Sequence, residues 1–99
     1  MIVVTGHIEL KPENVTRARP HMRAVLEGTR KEKGCLLYAY GEDVLQPGMI
    51  RIVERWQDWP SLEAHDKAPH VIAWRNALAG IGVVSREVTA NETGKSRAL

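Results

Sequence analysis

Ninety-nine residues allow one domain and leave no room for a second. Hydrophobic residues make up 43% and charged residues 26% of the chain, which argues against wholesale disorder, and a net charge of +2 points to neither nucleic acid nor an acidic membrane as a partner. The single cysteine, Cys35, excludes an internal disulfide and a Cys-based zinc finger; without a secretory-type start or a long apolar run, the expected location is cytoplasmic.

The first element, residues 2–10, alternates as a strand. Ile2, Val4, Gly6, Ile8 and Leu10 share the more apolar face, and Val3, Thr5, His7 and Glu9 the other. Pro12 suits the first turn of a helix, and Val15, Ala18, Met22, Val25, Leu26 and Thr29 continue at helical spacing, so a helix is expected over 12–32. Pro20 conflicts with that pattern. It removes one hydrogen bond and crowds the carbonyl of Thr16, so a kink is expected there, or one helix ending near Arg19 and a second starting at Pro20. The run RKEK at 30–33 carries its own Glu and reads as the solvated end of the helix, which Gly34 closes.

A second strand follows at 35–41, with Leu36, Tyr38 and Tyr40 on one face and Cys35, Leu37 and Ala39 on the other. Residues 42–48 form a turn. A third strand, 49–57, points Ile50, Ile52, Glu54 and Trp56 one way and Met49, Arg51, Val53 and Arg55 the other. Asp58 is a candidate N-cap for a short helix at 59–66 with Pro60 in its first turn. Pro69 starts another helix, whose stripe is Val71, Trp74, Leu78 and Ile81, and Gly80 and Gly82 stop it. A fourth strand covers 83–90, and 91–99 read as a loose polar tail.

The order βαββαβ, with right-handed crossovers, implies a ferredoxin-like α+β fold: a four-stranded antiparallel sheet with helices on one face. The uncovered face also carries apolar residues. A second copy of the sheet is the simplest cover, so a homodimer packed sheet to sheet is expected.

The candidate site lies in VERWQDWPSLEAHDKAPH, residues 53–70. On one helix, His65 and His70 would be rotated about 500° apart, onto nearly opposite faces, and Pro69 breaks the helix, so no metal site is expected. Glu54, on an apolar strand face, must be paired, hydrogen-bonded or protonated. It reads either as a structural partner or as a general base or acid beside a pocket. His65 reads either as a half-buried His at a helix C-terminus or as a pocket residue that moves a phenolic proton. His70 opens the next helix as a donor or packing residue. Trp56 and Trp74, with Tyr38, supply much of the chain's large aromatic surface and are candidate pocket walls.

EKGCLLYAY and IRIVERWQDWPSLEAHDKAPHVIAW together resemble the antibiotic biosynthesis monooxygenase family of small dimeric α/β-barrel proteins. The likeness rests on Gly-Cys before the second strand, Glu-x-Trp ending the third, Leu-Glu-Ala-His on the short helix and Pro-His opening the next. It is greatest to the bacterial quinol monooxygenase branch. The resemblance implies a homodimeric oxygenase that needs no cofactor and acts with O₂ on a small aromatic substrate, a quinol or an anthrone-like phenol. The deprotonated substrate itself reduces O₂, so the protein would supply a dry pocket, an orienting hydrogen bond and a base. His65 is the expected base or donor. Trp56, Trp74 and Tyr38 are the expected walls, with Glu54 and His70 orienting the pocket or the substrate. The haem-degrading branch is disfavoured, because its Asn, Trp and His fall here near Gly6 and on His65 and Arg75. A non-oxygenase member, an isomerase or a small-ligand-binding dimer, is the alternative.

Overall fold

The computed structural model describes residues 1–99. Its elements are β1 (Ile2–Glu9), α1 (Val15–Thr29), β2 (Cys35–Glu42), β3 (Met49–Trp56), α2 (Trp59–Asp66), α3 (Pro69–Ile81) and β4 (Ser85–Glu92), with a 3₁₀ turn at Pro12–Asn14 leading into α1. The strands form one antiparallel sheet in the order β2-β3-β1-β4. This is the expected ferredoxin-like arrangement. No helix is long and apolar enough to cross a membrane.

Alternation builds the sheet's covered face. Ile2, Val4 and Ile8 of β1 and Ile50, Ile52, Glu54 and Trp56 of β3 are buried together beneath the helices. The helices bring matching stripes: Val15, Ala18, Met22 and Val25 from α1, and Val71, Trp74 and Leu78 from α3. A smaller cluster of Ile2, Val4, Tyr38 and Trp56 lies beside this main core. Gly6 is required by close approach. A Cβ there would run into the backbone of Glu87 and Val88 on β4.

Three sequence expectations are corrected. First, of the kink or division expected at Pro20, the division does not occur: α1 is one helix from Val15 to Thr29 with Pro20 inside it. Thr16 and Pro20 both face solvent, so water can satisfy the carbonyl that Pro20 leaves without a donor. Second, β2 does not alternate regularly from its start. Cys35 pairs with Trp56 and Leu37 with Arg55, so Leu36 is the extra residue of a β-bulge. Leu36 is therefore turned out to solvent, while Cys35 packs beside Trp56 with the tyrosines. Third, β4 begins at Ser85 and runs through Glu92, so Val83 and Val84 lie in the preceding loop and Asn91 and Glu92 belong to the sheet.

Around the candidate site the local signals hold. Asp58 caps α2, its Oδ1 accepting from the Ser61 N–H at 2.9 Å and from the Ser61 hydroxyl at 2.7 Å. Lys67 and Ala68 turn the chain, and Ala68, extended at ψ 141°, redirects it before Pro69 starts α3.

Candidate active site

The sheet's covered face does not fill completely. A cavity of about 240 Å³ lies between it and the α2–α3 pair. Tyr38, Tyr40, Ile52, Trp74 and Leu78 supply apolar wall, and Glu54 and His65 place polar groups in it. Exposed Asp66, Arg75 and Arg86 line it as well and mark the side open to solvent.

Glu54 is carried there by strand register. It pairs with Val4 on one side and Tyr38 on the other, in the middle of the sheet. The indole N–H of Trp56 donates to Glu54 Oε1 at 2.9 Å. Burial pushes the Glu54 carboxyl above its ordinary range, and the Trp56 hydrogen bond and nearby His65 only partly oppose this. The tyrosine hydroxyls of Tyr38 and Tyr40 lie 2.8 Å apart in a shared hydrogen bond. Burial raises both phenols, Tyr38 well beyond the normal range and Tyr40 to about 12, so both stay neutral and able to donate.

His65 sits in the last turn of α2 and is 4% exposed. Its ring lies 4.7 Å from the Trp56 ring and 5.2 Å from that of Tyr38, centroid to centroid. Its Nδ1 is 2.7 Å from Glu32 Oε2. A carboxylate oxygen only accepts, so Nδ1 carries the hydrogen. In the neutral ring Nε2 then holds the lone pair, and it makes no hydrogen bond within the protein. The cavity wall therefore contains an oriented imidazole with a free basic edge.

Glu32 is the residue that sequence reasoning missed. It lies in the turn after α1, and its side chain is folded in at 16% exposure rather than solvated. The same Oε2 also accepts from His70 Nε2 at 3.0 Å. The two histidines, expected to lie apart, are thus joined through one oxygen, with ring centroids 6.3 Å apart. The reason is the α2–α3 turn. The rotation argument applied to a single straight helix, but the break at Pro69 places His70 on a second axis. Gly28 completes the fit, since a Cβ there would lie 2.8 Å from His70 Cγ.

Of the residues selected from sequence, Tyr38, Glu54, His65 and Trp74 meet at the cavity. Trp56 stands behind His65, fully buried, and His70 stands on the outer side of Glu32; neither reaches the cavity wall. Tyr40, the face-mate of Tyr38 on β2, joins it at the cavity wall. Arg86 gave no local signal, because a charged residue on an edge strand is unremarkable in sequence.

The antibiotic biosynthesis monooxygenase sequence profile matches residues 1–77. The chain belongs to that family. A Deinococcus radiodurans protein classed with the antibiotic biosynthesis monooxygenases superposes with a TM-score of 0.92 at 30% identity, over 100% of this chain and 98% of that one. A conserved protein from Methanosarcina mazei superposes at 0.86 with 25% identity, over 94% and 92% of the two chains. The uncharacterized protein sll1783 of Synechocystis is 29% identical over 69 residues, 70% of this chain. The chain spans about half of that relative's length, the match covering 47% of it.

Proposed function

We propose that this family member is a cofactor-independent monooxygenase for a quinol, anthrone or related phenol. The observation that carries the reading is the Glu32–His65 pair at the wall of a largely apolar cavity. The cavity, about 240 Å³, falls just below the ~300–1,000 Å³ of drug-sized ligand sites, which suits a small flat ring system.

His65 Nε2 takes the acidic proton of the bound substrate, from a phenol O–H or an anthrone methylene. Glu32 holds the ring in the competent tautomer and faces the imidazolium that forms. The tyrosine pair, held neutral by burial, donates a hydrogen bond to the substrate oxygen. The substrate anion passes one electron to O₂. The resulting radical and superoxide join as a carbon-bound hydroperoxide, which loses water. The net change balances: one atom of O₂ enters the substrate and the other leaves as water, converting an anthrone methylene to a carbonyl or a quinol to a hydroxyquinone. The aromatic and aliphatic walls shield these charged species on the inner side of the cavity, which opens to solvent at Asp66, Arg75 and Arg86.

Family membership and the far sheet face support a homodimer. Leu37 and Ala39 are half-buried there, Val53 is 38% exposed, and no element of the same chain covers them.

Oxygen uptake tests the reading. Metal-free protein mixed with menadiol under air should consume O₂ faster than autoxidation alone. Rates equal to autoxidation across neutral and mildly alkaline pH, for menadiol and for an anthrone, would leave the alternative, an isomerase or ligand-binding dimer. Arg86 and Arg75, the latter paired with Asp66 at 3.2 Å, stand at the cavity's open side and favour that second reading if the ligand proves anionic.

A further inference from the structure

We propose that Glu32, His65 and His70 form a binding site for a zinc-class divalent cation, on the side of His65 away from the catalytic cavity. The donor atoms are His65 Nδ1, His70 Nε2 and Glu32 Oε2, and all lie within 4.8 Å of one another. Each nitrogen is already within 3.0 Å of the carboxylate oxygen. Four-coordinate zinc with bonds of ~2.0–2.2 Å to nitrogen and oxygen needs donors roughly 3.3 Å apart. The two nitrogen–oxygen edges, 2.7 and 3.0 Å, need to lengthen by about 0.6 and 0.3 Å, and the two nitrogens, within 4.8 Å of each other, need to settle at the same spacing, to admit the ion, which would replace the two shared hydrogens. Two imidazoles and one carboxylate are a borderline donor set, suited to zinc and poorly matched to calcium or magnesium. Three protein ligands leave a fourth position for water.

Access and rigidity support the assignment. His65 is buried, with its ring fixed between Trp56 and Tyr38, whereas the His70 side chain is 27% exposed and gives a route from solvent. Three separate segments supply the ligands: the α1–β2 turn, the end of α2 and the start of α3. Binding would tie them together, so folding and metal affinity are linked. The other two histidines are elsewhere. His7 lies on β1 with Nε2 3.3 Å from the Ser85 hydroxyl, and His21 is exposed on α1.

The test uses the full chain, stripped of metal with a chelator, and Zn²⁺ as the probe. Calorimetric titration should give one Zn²⁺ per chain, and saturating Zn²⁺ should raise the melting temperature. Cobalt(II) loading should give the intense visible absorption of a four-coordinate site. His70→Ala and Glu32→Gln should each weaken zinc binding by about 10²-fold or more, since even outer-sphere partners of metal ligands are worth about 10–100-fold. Gly28→Ala, which pushes on the His70 ring without removing a ligand, should weaken it as well. The double variant His7→Gln/His21→Gln should bind like the parent. Absence of binding to the folded parent would overturn the site. So would unchanged affinity in folded His70→Ala and Glu32→Gln, or loss of binding in the His7/His21 variant. None of these readouts depends on oxygen uptake, so the site and the catalytic reading stand or fall separately.

Discussion

Trp56 and Glu54 lie two residues apart on one face of β3, and the buried indole N–H of Trp56 donates to the buried carboxylate of Glu54 at 2.9 Å. Each solves a burial problem for the other, but unequally. The indole has one polar atom and it is satisfied. The carboxylate keeps a second oxygen, and burial raises its proton affinity.

This asymmetry sets a pH dependence. In the unfolded chain Glu54 ionises near ~4.3, whereas in the fold it holds its proton to higher pH. The folded state binds more protons in that window, so this group's contribution to stability is intact in acid and falls as pH rises through the folded value. Glu54→Gln keeps an acceptor for Trp56 and removes the charge. It should therefore melt higher than the parent at neutral pH, with the gap closing toward acid. Thermal melts across pH decide this; an equal or lower melting temperature at neutral pH would refute it. Glu54→Ala leaves the indole N–H without a partner and should cost about 1–3 kcal/mol.

His65→Ala should lower kcat for oxygen uptake by roughly 10²–10⁴ while the protein keeps its fold and association state. Glu32→Gln can offer an amide N–H to Nδ1 and stabilise the wrong tautomer, so it too should lower kcat, by about 10² or more, with little change in KM. Steady-state rates of both variants provide the check. A parental rate in His65→Ala would remove its role as base.

Zinc should also slow the reaction. Coordination through Nδ1 requires the hydrogen of a neutral imidazole to sit on Nε2, which turns the cavity-facing edge from an acceptor into a donor. Oxygen uptake at saturating Zn²⁺ should fall in the parent and recover on chelation. An unchanged rate at full occupancy would show that the ring's tautomer does not govern turnover.

Gly6→Ala should loosen β4, because its Cβ would meet the Glu87 carbonyl. A cost of about 1–3 kcal/mol is expected from the strain, read by urea denaturation. Hydrogen exchange should show the loss of protection concentrated on the β1–β4 ladder.

Val53→Asp places a charge in the middle of the uncovered sheet face. If that face joins two copies, light scattering should shift from twice the 11.1 kDa chain mass toward the single chain. A parent that already runs at 11.1 kDa would defeat the dimer.

The fold was legible where periodicity and burial agree. The alternation of β3 from Ile50 to Trp56 is uninterrupted, and Asp58 and Pro60 announce α2 through local chemistry alone. Glu54 drew notice because a carboxylate on an apolar strand face is costly without a partner. Glu32 did not, because its role arises only when three segments converge; within RKEK it looks like any solvated charge. The bulge at Leu36 was hidden for a related reason. CLLYAY alternates equally well in either parity, and only pairing with β3 selects one. Pro20 does not divide α1, since exposure of that helix face relieves the penalty that a buried proline would carry.

The bulge has a consequence for how β2 can change. Removing Leu36 would leave Cys35 opposite Trp56, Leu37 opposite Arg55 and Tyr38 opposite Glu54, a regular ladder with every inward side chain still inward. In most strands losing one residue inverts everything beyond it. Here the extra residue acts as a removable spacer, so losing one leucine of the Leu36–Leu37 pair would spare the tyrosine pair, while a deletion at Ala39 would not.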